Sequence, residues 1–151
     1  MHGNETQQNT SAATDTARKN RRYHTIGILG DRDAVANIAV KNLKTARQFY
    51  QDTLGLTPIA TEGDQLIIFR SGNSMLNVYE SQYAGTNQAT AVTWAVDDVD
   101  DVVRALKAKG VTFEHYDMPN TTRAGDVHVA GSMKAAWFKD PDNNILNIFC
   151  R

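Results

Sequence analysis

The sequence predicts an α+β fold: two tandem βαβββ modules forming a curved mixed sheet around a cavity. Three observations carry this expectation. First, ANIAVKNLKTARQFYQDTLGL from Ala36 and VTWAVDDVDDVVRALKAKGV from Val92 follow one plan, a short strand ending in Ala-Val, a polar pair, then helical periodicity running to a glycine. Second, NSMLNVYES and NNILNIFCR each set an asparagine, Asn77 or Asn147, in the middle of a strand-like apolar run. Third, turn signals at Glu62-Gly63-Asp64 and Ser71-Gly72-Asn73 cut the intervening chain into strand-sized pieces.

A chain of 151 residues can bury one sizeable core. Residues 1–30 read as a disordered polar tail, because their Asn, Gln, Thr and Ser side chains bury too little apolar surface to offset ordering entropy. Residues 31–151 form the single domain, with module one at about 33–81 and module two at about 89–151. In module one, Ala36, Ile38 and Val40 lie beneath a helix that Asn42 caps, that packs through Leu43, Ala46, Phe49 and Tyr50, and that Gly55 ends. Strands TPIAT, QLIIF and SMLNVYE follow. In module two, Asp98 caps a helix whose inner face is Val99, Val102, Val103 and Leu106, and Gly110 ends it. Strand VTFEHY, a strand ending in AAWF, and NILNIF complete the copy, with Asp140 to Asn144 as a tight turn between the last two. The offset between copies grows from 55 at Gly55 and Gly110 to 70 at Asn77 and Asn147. The extra residues therefore lie in Asp117 to Met133, whose Pro119, Gly125 and Gly131 suit a lid or hairpin over a ligand.

A net charge of −1 argues against nucleic acid or an acidic membrane as partner, and no apolar run is long enough to span a bilayer. The one cysteine, Cys150, excludes an internal disulfide and Cys-based zinc clusters, and implies a cytoplasmic setting. No phosphate-binding glycine loop, dinucleotide fingerprint, EF-hand spacing or nucleophile elbow occurs.

The duplicated arrangement, FYQDTLGL and FKDPDNNILNI together resemble the vicinal oxygen chelate superfamily, over about residues 33 to 150. That group includes glyoxalase I, bleomycin-resistance proteins, fosfomycin-resistance enzymes and extradiol dioxygenases. The resemblance implies a homodimer. It also implies that metal ligands, where a member has them, fall on Val35, Asn77, Ala91 and Asn147. Two of these have no donor atom, and a neutral amide is a poor substitute for a carboxylate toward Fe, Ni, Zn or Mn. Strand alternation sends Glu80 to the opposite face from Asn77 and Tyr79. No metal and no other cofactor is expected.

Two functional readings follow. In the first, a small organic ligand sits in the cavity against Asn37, Asn77, Tyr79, Thr93, Asn147 and Phe149, with Arg123 available to an anionic group. In the second, His115, His128, Glu114 and Asp117 form an unorthodox metal or acid–base site of a lyase, isomerase or dioxygenase-like enzyme. The plain structural alternatives are that both asparagines bond their own neighbours, that the histidines are solvated, and that Trp94 and Trp137 only pack. A third class, an interaction module, would have the basic KNRR of the tail as its docking element.

Overall fold

The computed structural model describes residues 27–151, so nearly all of the expected tail lies outside the described residues. Residues 35–151 form one compact unit. Module one comprises β1 (Ala36–Val40), α1 (Leu43–Arg47) with a π-helical continuation over Gln48–Thr53, β2 (Thr57–Glu62), β3 (Leu66–Ser71) and β4 (Ser74–Glu80). Module two comprises β5 (Thr90–Ala95), α2 (Val99–Ala108), β6 (Phe113–Glu114), β7 (Thr122–Ala124), β8 (Val127–Ala130), β9 (Met133–Lys139) and β10 (Ile145–Cys150). The expected curved sheet is two mixed sheets, ordered β1-β4-β3-β2 and β5-β10-β9-β8-β7, with β6 also on β9. Each has one parallel pair, β1 with β4 and β5 with β10, the crossover that a strand-helix-strand unit requires.

The helix limits follow from the residues at their ends. Asn42 Oδ1 accepts from Thr45 N at 3.0 Å, and Asp98 Oδ1 from Asp101 N at 3.1 Å. Gly55 and Gly110 take φ of 78° and 90°, backbone that side-chain-bearing residues avoid. The first helix does not run regularly to Gly55, however. From Gln48 it widens, with Leu54 N donating to Phe49 O, five residues back. No local feature of QFYQDT demands the wider turn.

One core serves both modules. Ile38 and Val40 of β1, Ile67 and Phe69 of β3, and Leu76 and Val78 of β4 pack in the same cluster as Val99, Val103, Phe113, Phe138, Leu146 and Ile148. Ala36, expected beneath the helix, is exposed at the open end of its strand. Across the modules, Phe49 meets Phe138 with ring centres 6.5 Å apart, and Trp94 Nε1 donates to Ser71 Oγ at 2.8 Å.

The edge of the second sheet departs most from expectation. VTFEHY is a strand only at Phe113–Glu114, opposite Phe138 and Trp137. The chain then leaves the sheet and returns as β8, opposite Ala135, Lys134 and Met133. A single edge strand, as β2 is in module one, is thus split in two, and the excursion between the halves ends in the β7-β8 hairpin around Gly125 and Asp126. The extra residues are this excursion.

Candidate functional site

Residues directly paired across strands share a sheet face, so the register gives the outward rows. In module one, Asn37, Asn77 and Ile68 stand in a line, and Ala39, Tyr79 and Leu66 form the next. In module two the equivalent lines are Thr93, Asn147, Trp137 and Glu114, and Ala95, Phe149, Ala135, His128 and Arg123. Six of the expected ligand-contacting residues therefore fall on the two outward faces, and Arg123 at the end of the second. Glu80 takes the other side, where its Oε1 accepts from Leu43 N at the start of α1, 3.4 Å away.

The faces differ in exposure. Module one leaves Val35, Met75 and Tyr79 exposed, and its asparagines bond one another: Asn77 Nδ2 donates to Asn37 Oδ1 at 3.2 Å, and Asn37 Nδ2 to Val35 O at 3.2 Å. In module two Asn147 is only 6% exposed, and its Nδ2 donates to Ala136 O at 3.1 Å and Ile148 O at 3.3 Å. Its carboxamide oxygen is the atom these bonds leave for another partner.

The four acid–base candidates do not come together. His115 Nε2 lies 2.8 Å from Asp126 Oδ1, and Lys107 Nζ donates to Asp126 Oδ2 at 2.7 Å. These two bonds, the lysine's first, hold the Asp126 carboxyl below its usual range. Glu114 lies 3.9 Å from Lys139 Nζ. Only His128 and Asp117 share a space: with Tyr116, Met118, Thr121, Thr122 and Arg123 they line a polar cavity of about 220 Å³ within the excursion. Among the described residues no three His, Cys, Asp or Glu side chains converge as metal ligands would.

His128 is not the solvated histidine that its place beside a loop suggested; it is 1% exposed. Its ring packs edge-on to Trp137 at 5.0 Å between centres and stacks with Tyr116 at 6.3 Å. Tyr116 N–H donates to Nε2 at 3.0 Å, so a neutral ring carries its proton on Nδ1. That donor is buried and has no acceptor among the described residues. Tyr116 and Trp137 were not singled out as site residues. The alternation that placed Asn147 on the outward face also places its opposite residue there, and Trp137 was readable in that way.

The family profile described as the glyoxalase/bleomycin resistance protein/dioxygenase superfamily matches residues 32–148, most of the chain. The chain belongs to this superfamily. Similar solved structures include a lactoylglutathione lyase from Agrobacterium tumefaciens, 19% identical with a TM-score of 0.59, over 77% of this chain and 90% of that one. A fosfomycin resistance protein, FosX, from Listeria monocytogenes is 16% identical with a TM-score of 0.61, over 78% and 91%. An antibiotic binding protein, TnmS3, from Streptomyces sp. CB03234 is 17% identical with a TM-score of 0.57, over 82% and 98%. At such identities the likeness is one of fold. No curated protein matches the chain at a significant level. No helix among the described residues is long and apolar enough to cross a membrane.

The resemblance implies that metal ligands, where a member has them, would fall on Val35, Asn77, Ala91 and Asn147. These residues do not fit a transition ion: two lack any donor atom, and each of the two carboxamides, held through its Nδ2 by neighbouring strand residues, offers only a neutral oxygen in place of a carboxylate.

Proposed function

We propose that this protein is a binding member of the superfamily that holds a small, partly apolar organic molecule against the outward sheet faces without a metal ion. The observation that carries the reading is the electroneutral set at the four symmetry-related positions, Val35, Asn77, Ala91 and Asn147. Around them, Tyr79, Phe149 and Trp137 supply aromatic surface, and Asn37 and Thr93 supply groups that donate and accept hydrogen bonds. Apolar walls with a few oriented polar groups suit an organic ligand better than they suit an anchored cation. The likeness in fold to TnmS3, an antibiotic binding protein, supports the same class of role. The protein acts as a homodimer in the cytoplasm, and the exposed Val35, Met75 and Tyr79 offer apolar surface for a second copy or for the ligand.

Two measurements test this. Protein purified without chelators is assayed for Zn, Fe, Ni and Mn, and substoichiometric amounts are expected; a full equivalent that survives dialysis would replace this reading with a metalloenzyme. A library of natural-product antibiotics is then screened by thermal shift, where stabilisation by at least one compound is expected to weaken in Asn77→Leu and Asn147→Leu. Hits unaffected by both substitutions would move the ligand off these faces.

A further inference from the structure

We infer that the polar cavity inside the module-two excursion is a second binding site, selective for a small monocarboxylate that also carries a hydroxyl. The argument begins with His128. Its Nε2 is taken by Tyr116 N–H, its Nδ1–H lacks an acceptor among the described residues, and its ring is held by Tyr116 and Trp137. A buried donor left unpaired is costly, and an acceptor brought in by a ligand removes the cost. Arg123 stands directly opposite His128 across the β7-β8 pair and lines the same cavity, and no ion pair to it occurs among the described residues. A guanidinium on the wall of the cavity that the buried His128 also lines suits a carboxylate, whose second oxygen can meet the imidazole N–H once the ring yields to it.

Asp117, on the same wall, sets the rest of the selectivity. Its carboxylate repels a second negative charge and accepts from a hydroxyl. At about 220 Å³ the cavity falls below the usual range for drug-sized ligands, about 300–1,000 Å³, so the occupant is a small acid. Module one, whose edge strand is unbroken, has no counterpart of this excursion. The site does not depend on the ligand proposed for the outward faces.

The probe is lactate, with acetate and phosphate as controls, titrated into the full chain by calorimetry and followed by nitrogen-15 NMR of the imidazoles. Lactate is expected to bind at millimolar or lower concentration, acetate and phosphate at least fivefold more weakly. The His128 Nδ1 signal should move on saturation. Arg123→Gln, an exposed position, should weaken lactate at least tenfold while leaving the thermal midpoint near that of the parent. Failure of lactate to bind at tens of millimolar overturns the proposal. So does equal binding of acetate or phosphate, undiminished binding to Arg123→Gln, or a His128 signal that stays put. Asn77→Leu separates the two sites: it should weaken antibiotic stabilisation and leave lactate binding intact.

Discussion

At the residue scale the DPDNN stretch shows what a local reading recovers and what it misses. Asp and Asn in a five-residue run signal a turn, and Asn143 takes the positive φ of 68° that such a turn uses. Yet Asp140 is also a buried acceptor of four hydrogen bonds. Its Oδ1 accepts from Asp142 N and Asn144 N, each at 2.9 Å, and its Oδ2 from Asn144 Nδ2 at 2.8 Å and Tyr50 OH at 2.7 Å. Burial, and then the Asp140 charge, push the Tyr50 hydroxyl far above its ordinary pKa, so it remains a donor at all physiological pH. No spacing rule links residues 90 positions apart, so this partnership was invisible in the sequence. Tyr50→Phe should cost about 1–3 kcal/mol by removing one donor from a buried carboxylate, and Asp140→Ala more, because it strands several donors at once. Urea denaturation measures both, with the order Asp140→Ala below Tyr50→Phe below parent. Gly85 belongs to the same corner: φ is 70°, and a Cβ there would run into the Asp142 carbonyl. Gly85→Ala is therefore expected to lower the urea midpoint although it adds only a methyl group.

At the scale of elements, both helix starts and seven of the strands were legible, because caps and period-two alternation are local signals. Asn42, Asp98, SMLNVYE and NILNIF all sit within a residue of where those signals put them. What failed was the edge of the second sheet. VTFEHY has strand composition throughout, but a strand needs a partner, and β9 is shared between β6 and β8. Position in the sheet overrode propensity. The excursion is tied back to α2 through Asp126, which bridges Lys107 and His115. Since its folded pKa is depressed below the ordinary 3.8, the carboxylate stabilises fully above that value, and its contribution fades as pH falls through the lower folded value. Asp126→Asn should therefore lose under about 1 kcal/mol at neutral pH. Its stability curve should run parallel to the parent's above pH 5 and converge with it below pH 4. A thermal-melt series across pH 2.5–7 checks this; curves that stay parallel down to the acid end would deny Asp126 its role.

At the scale of the whole molecule, the two copies in the sequence pack as one unit around a shared core. Leu146 and Ile148 share one core with Ile38 and Phe69, and the turn of module two reaches into module one at three points. Asn144 Nδ2 donates to Ala39 O at 2.8 Å, Lys41 N to Asp142 Oδ2 at 3.0 Å, and Tyr50 OH to Asp140. Repetition was legible because each copy carries its own caps and alternation; the joint was not, because its members are scattered through the chain. If the modules are one cooperative unit, far-ultraviolet circular dichroism, which reports both sheets, and tryptophan fluorescence should follow the same urea transition. Trp94 lies at the seam, bonded to Ser71, and Trp137 on the outer face of module two, so the two fluorophores sample the joint and one module. Asn144→Ala removes the bond to Ala39 and one to Asp140, and should shift the midpoint of both probes together with the slope unchanged. Separate transitions in the parent would make the modules independent domains, and a joint shift in the variant would tie the stability of both sheets to one turn.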